Sequence, residues 1–310
     1  KRDPVILLSA HYALGNTLAF RGELGPAREH LERCIALYDS RAHRRLAFLY
    51  GDDPSVACLH FKAWCLWYQG YPDQARQCID ETVAVGRELG HPQVLAFALC
   101  GAAVVEHLRR DRQLTRQHAE AAMELCREQG LPVYLALARV LWGWALVEEG
   151  RAAEGIAEMR EGLRAYRSTG VRWMEPYLLA LLAEAYGKAG QPQEGLRVMA
   201  EALDVIRETQ ECAWEAELYR IEGELLLNSG APRTRPEPEE RFRRAIDTAR
   251  RQEAKSWELR AAMSLGRLWQ GQGKRDAARQ LLTSVYGWFT EGFDTGDLHE
   301  ANVMLRALEP

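Results

Sequence analysis

The chain has 310 residues, 47 % of them hydrophobic and 27 % charged, with a formal net charge of −4. That composition excludes a disordered chain, and the near-neutral balance argues against a general nucleic-acid binder, which is usually strongly basic. No apolar run reaches the roughly 18–20 residues of a membrane span. Lys1, Arg2, Asp3 and Pro4 lead straight into a helical pattern, so no secretory signal is expected. The seven cysteines are odd in number and lack a C-x-x-C pair, which points away from a disulfide framework or thiolate zinc site and towards a reducing, cytoplasmic setting.

The predicted elements are helices in pairs. A first unit near residues 4–40 holds Gly15, Ala27, Leu31 and Cys34, and an insertion rich in Arg and His, residues 41–53, follows it. Further units lie near 54–90, 92–130, 132–170 and 172–210, each made of two segments closed by a helix-stopping residue. Gly70, Gly150, Gly190 and Gly230 stand on a ladder of 40 residues, with Arg110 on the missing rung. Gly90, Gly130 and Gly170 form a second ladder, with Gln210 on its next rung. Pro54, Pro72, Pro92, Pro132 and Pro192 stand where a first helical turn tolerates them. Residues 133–149 are apolar on nearly every side, as a helix between neighbours should be, whereas 152–168 carry Ile156, Met159, Leu163 and Tyr166 on one stripe. A sixth unit near 212–253 contains a Pro-rich loop at 231–238, and a seventh spans 255–292. Residues 295–308 read as a final helix, with Asp297 near its N-terminus, that covers the last unit's apolar face.

A small residue recurs late in each first helix: Gly15, Ala63, Ala103, Gly143, Ala183, Gly223 and Gly266. The second helices carry small residues at Ala27, Ala75, Thr115, Gly155, Gly195 and Ala278. Bulky ones follow at Leu31, Ile79, Met159, Met199, Phe242 and Leu282. Small residues let two helices approach closely and the bulky one fills the hole. This pattern resembles the tetratricopeptide repeat, with a unit of 40 residues instead of 34. The expected fold is all-α: one right-handed solenoid over residues 1–310, of about seven helical hairpins and a capping helix.

Catalytic signals are absent from the pattern. Gly271, Gln272, Gly273, Lys274 and Arg275 lack both the upstream glycine and the Ser/Thr of a phosphate loop, and they read as a turn between helices. The eight histidines form no H-x-x-x-H pair, no G-x-S-x-G elbow exists, and Glu148-Glu149 is an adjacent, solvated pair. No enzyme activity, metal or cofactor is expected. The basic clusters at 41–45 and 108–116 have acidic residues nearby, which weakens any phosphate-binding reading.

First helices of such hairpins line the inner surface of the superhelix. Counting from the small residue puts His60, Trp64, Trp67 and Tyr68 on that surface in unit two, His107 in unit three, and Trp144 and Glu148 in unit four. Glu184 and Lys188 follow in unit five, and Arg220 and Glu224 in unit six. An early aromatic groove with a charged flank is thus expected, suited to a peptide, a partner helix or a small molecule. The competing reading packs the tryptophans between hairpins. A second row, Tyr134, Met174, Trp214 and Trp257, is expected to wedge neighbouring hairpins together.

Several stretches resemble a bacterial family. They are residues 48–54 (FLYGDDP), 66–75 (LWYQGYPDQA), 179–192 (LALLAEAYGKAGQP), 214–220 (WEAELYR), 261–274 (AAMSLGRLWQGQGK) and, most specifically, 285–301 (VYGWFTEGFDTGDLHEA). Together they resemble the C-terminal tetratricopeptide region of large signalling proteins in which an adenylate/guanylate cyclase precedes an AAA/STAND-type ATPase. No cyclase aspartates and no phosphate loop map onto this chain. The resemblance implies a sensor or interaction arm. Its partner is then a protein, a peptide or the ATPase and cyclase domains of the same polypeptide. The alternative is a small-molecule inducer held in the groove. Nucleic acid and membrane are not expected partners.

Overall fold

The computed structural model describes residues 4–43, Phe48, 51–230 and 238–309. Most of the Pro-rich segment 231–238 and residues 44–47 and 49–50 of the first insertion lie outside the described residues. Besides a four-residue helix at Ser40–His43, the helices are α1 (Pro4–Arg21), α2 (Leu24–Leu37), α3 (Pro54–Tyr68), α4 (Pro72–Leu89), α5 (Pro92–Leu108), α6 (Arg112–Gln129), α7 (Pro132–Glu148) and α8 (Ala152–Ser168). They continue with α9 (Glu175–Lys188), α10 (Pro192–Thr209), α11 (Glu215–Asn228), α12 (Pro238–Arg251), α13 (Lys255–Gly271), α14 (Arg275–Tyr286) and α15 (Gly296–Ala307). Among the described residues there is no strand. Each odd-numbered helix from α1 to α13 packs against the even-numbered helix after it. The fold is therefore an all-α helical-repeat solenoid.

The two helix types differ as their sequences require. In α3 every residue except Lys62 is buried, so the helix is an interior rod. In α4 the buried set is a stripe running through Ala75, Ile79, Thr82 and Gly86, and the opposite face is charged. Proline opens α3, α4, α5, α7 and α10 within the first two positions, where the missing N–H costs nothing. Asp53 caps α3, its carboxylate accepting from the Ser55 and Val56 amides.

Both ladders mark left-handed backbone. The glycine rungs have φ between +63° and +89°, and the two non-glycine rungs obey the same geometry, Arg110 at φ 63° and Gln210 at φ 62°. The helix-to-helix turn thus dictates the conformation even where a side chain makes it costly.

Small residues are where the helix axes come closest. A Cβ added at Gly143 would lie 2.7 Å from the Gly155 carbonyl oxygen and 2.7 Å from Met159 Cγ. At Gly15 it would meet Leu31, and at Gly223 the Phe242 ring. In these three units the bulky residue of the second helix seats on the small residue of the first, whereas at Gly266 the neighbour is Met304 Cε of α15 at 3.5 Å. At the C-terminal end, Leu298, Ala301 and Met304 of α15 close the cluster formed by Leu259, Met263, Leu282 and Val285.

The solenoid winds far enough for its last units to touch its second and third. Ser256 Oγ donates to the Trp67 carbonyl at 2.5 Å, and Arg260 Nη2 donates to the Leu108 carbonyl at 2.7 Å. Glu291 accepts from the amides of Asp73 and Gln74 at the start of α4, and the Gly292 amide donates to Asp73.

Candidate functional site

This winding changes the expected aromatic groove. His60, Trp64, Trp67 and Tyr68 are at most 2 % exposed. Trp214 and Trp257, which lead the first helices of units six and seven, fill the space that these side chains face. Trp67 and Trp257 meet edge to face at 4.7 Å, while Trp64 and Tyr68 each meet Trp214 edge to face, at 5.7 and 5.6 Å. His60 stacks on Phe97 at 4.1 Å, and burial takes its pKa down to about 3, so it is neutral. These four residues do not line an open groove. They form a core column, because apolar rings on opposing turns bury more area against each other than against water. In the wedge row Met174, Trp214 and Trp257 are buried, while Tyr134 is half-buried.

The other predicted residues do come together. His107, Trp144, Glu148, Glu184, Lys188 and Arg220 line a cavity of about 130 Å³ where the aromatic column ends. Glu224 stands beside it and accepts from Ser264 Oγ at 2.6 Å. The opposite wall, made by Arg110, Arg260, Arg267, Asp297 and Glu300, was not predicted. Arg267 was detectable, since it holds in unit seven the position after the small residue that Glu184 and Glu224 hold in units five and six. Arg110 and Asp297 were seen only as a ladder rung and a helix start.

Salt bridges join the two walls. Arg220 holds Glu217 through Nε and Nη2 at 2.8 and 2.9 Å and lies 3.8 Å from Glu224. Glu224 is 3.8 Å from Arg267, which pairs with Glu300. Glu300 accepts from Arg110 at 2.7 Å, and Arg110 reaches Asp297 at 3.2 Å. Asp297 accepts from Arg260 at 2.7 Å, and Arg260 returns to Glu217 at 3.3 Å, completing a circuit. Lys188 bridges Glu148 and Glu184 as a spur, and Glu184 is 3.7 Å from Arg220. The Arg260 guanidinium lies 5.1 Å from both the Trp67 and Trp257 rings, so it also joins the circuit to the aromatic column.

Electrostatics follow from this arrangement. Burial by itself would raise the Glu184 carboxyl, but Lys188 and Arg220 outweigh it and hold the group at about 2. His107 is driven down to about 3 by burial and by Arg260, and is neutral. Its Nδ1 shares a 2.7 Å hydrogen bond with the Tyr177 hydroxyl. The indole nitrogen of Trp144, whose side chain packs edge to face on His107 at 4.5 Å, is buried and has no hydrogen-bond partner.

Other readings of the sequence can be placed. Gly271 ends α13, Arg275 opens α14, and residues 272–274 are the turn between them. In the 108–116 cluster, Arg109 is buried against Asp73 and Glu106, and Arg116 pairs with Glu120 and Glu149. Among the described residues no group of three or more His, Cys, Asp or Glu side chains is placed to hold a metal ion. Among the same residues no helix is long and apolar enough to cross a membrane.

Known proteins bear on the repeats and the fold. Residues 8–33, 56–81 and 259–282 match the tetratricopeptide repeat model. They fall in units one, two and seven. The apo form of RapI superposes with a TM-score of 0.55, covering 97 % of this chain and 99 % of that one at 9 % identity. A signal transduction ATPase with numerous domains (STAND) from Pyrococcus horikoshii, described with a tetratricopeptide repeat sensor, aligns over 97 % of this chain and 44 % of its own. Its TM-score is 0.47 at 11 % identity. An uncharacterised protein of Rhizobium meliloti (strain 1021) is 24 % identical over 229 residues, or 74 % of this chain. The chain spans 22 % of that relative's length. Geometry and comparisons agree on tetratricopeptide repeats built into an all-α solenoid.

Proposed function

We propose that the chain is a non-enzymatic interaction and regulatory arm whose recognition site is the charged axial pocket. One observation carries this reading: a single ion-pair circuit gathers side chains from α9, α11, α13, α15 and the turn after α5 around one solvent-reaching cavity. An occupant there touches helices far apart in sequence, and so can bias how the solenoid turns sit against each other. The sequence resemblance supports the finer assignment, the cytoplasmic sensor arm of a bacterial signalling ATPase or nucleotide cyclase acting as one unit over residues 1–310. The Rhizobium relative's greater length supports it too. Protein or peptide partners, including ATPase and cyclase domains in the same polypeptide, would engage the pocket mouth.

Lys188→Glu and Arg267→Glu test this reading. Each should abolish the chemical cross-links the wild-type chain makes to its co-purifying partner, with helical content unchanged by circular dichroism. Identical cross-links in wild type and both variants would exclude the pocket as the recognition site.

A second reading, a small-molecule inducer site, is favoured by the filled aromatic column. A cavity of about 130 Å³ admits a metabolite but not a helix of ~10 Å diameter.

A further inference from the structure

We propose that the axial pocket is a receptor site for a free α-amino acid, bound as its zwitterion. The proposal rests on the small-molecule reading above and names the ligand's chemistry.

Size comes first. About 130 Å³ is slightly less than the engineered cavity of roughly 150 Å³ that accepts benzene. The occupant therefore has about six non-hydrogen atoms, the size of the smallest amino acids.

Charge comes second. The lining carries five cations and four anions, and Glu224 beside it supplies a fifth anion; among them are Arg110, Lys188 and Arg267 with Glu148, Glu184 and Glu300. Each already has an opposite charge within ion-pair distance. A ligand of net charge would leave one charge uncompensated in a partly desolvated site, which is costly. A zwitterion adds one positive and one negative group and keeps the circuit balanced. Its ammonium group suits Glu148 and Glu184, on α7 and α9. Its carboxylate suits Arg110 and Arg267, on the turn after α5 and on α13.

The third observation is the rest of the wall. Trp144 is 4 % exposed and gives the pocket its ring, since its buried indole nitrogen has no surface open to the cavity. Neutral His107 beside it adds no charge. Met263, on the same wall, offers apolar contact to a short side chain.

The test is thermal shift followed by calorimetry on the 310-residue chain with the twenty amino acids. For each active one, the N-acetyl acid and the α-carboxamide are added. We expect one or a few small amino acids to raise the melting temperature, and neither derivative to do so. Arg110→Gln and Glu148→Gln, which remove one charge for the carboxylate and one for the ammonium group, should each weaken binding roughly tenfold. Four results would overturn the proposal: no shift with any amino acid; an N-acetyl acid that binds as well as the free one, marking a pocket for a peptide C-terminus; an amide that binds as well, showing that no carboxylate is read; or affinity untouched by both variants. The cross-linking result for Lys188→Glu and Arg267→Glu is independent, so the broader reading survives or fails separately.

Discussion

Gly143→Ala tests the repeat packing most sharply, because two effects of similar size oppose each other. In an ordinary helix interior, alanine is favoured over glycine by about 1 kcal/mol. Here the new methyl would sit 2.7 Å from the Gly155 carbonyl oxygen, 2.7 Å from Met159 Cγ and 3.1 Å from the Met159 amide nitrogen. Two of those three atoms are backbone, so relief requires α7 and α8 to move apart. Separation by ~0.5–1 Å forfeits a quarter to a half of the dispersion energy at each affected contact, and overpacking of this kind costs about 1–3 kcal/mol. The net expectation is a loss of up to ~2 kcal/mol. Gly271→Ala is the control. Gly271 ends α13 with nothing within 4 Å of an added Cβ, so there the propensity gain of up to ~1 kcal/mol stands unopposed. Urea unfolding followed by far-UV circular dichroism should place the variants on opposite sides of wild type. If both shift stability equally, to within about 0.5 kcal/mol, close approach of α7 and α8 is not what makes residue 143 a glycine.

Three further outcomes follow from the same structure. Trp67→Ala removes a ring packed against both Trp257 and the Arg260 guanidinium, and should cost about 3–5 kcal/mol with an increase in hydrodynamic radius; an unchanged radius and urea midpoint would mean the turns are not closed on each other. Gln210→Gly should stabilise by roughly 1 kcal/mol in urea titrations, because the residue sits at φ 62° where a side chain is strained; a destabilised variant would contradict that turn geometry. Burial pushes the Glu106 carboxyl up to about 7 against the pull of Arg76 and Arg109. An acid with a raised native pKa binds more protons folded than unfolded, so its contribution is full below about pH 4.3 and lost as pH rises through about 7, on the order of 3 kcal/mol in all. Glu106→Gln should therefore gain on wild type in urea midpoint between about pH 5 and about pH 8, and a gap constant with pH would refute the shift.

How much was legible depended on sequence distance. Helix ends, the seven pairs and the seats of the bulky residues all lie within about one repeat of each other, and nearest-neighbour packing writes them into a period. Even the non-glycine rungs Arg110 and Gln210 could be placed, because the turn fixes the backbone whatever the side chain. Closure of the superhelix was not legible. It rests on contacts such as Ser256 to the Trp67 carbonyl, 189 residues apart, and no 40-residue period encodes which later unit will face an earlier one. For that reason the expected aromatic groove at His60, Trp64, Trp67 and Tyr68 is core, and the far wall of the pocket was missed.

The position after the small residue explains why closure stops where it does. From unit two onward it reads Trp64, Val104, Trp144, then Glu184, Glu224 and Arg267. The first tryptophan meets another ring across the axis and both are buried. The later charged groups keep contact with solvent, with 28 % of the Glu184 and 33 % of the Glu224 side chain accessible. Stripping that water would cost several kcal/mol per ion even with partners in place. The aromatic column thus ends at Trp144, and the pocket is the space that paired charges keep open against collapse.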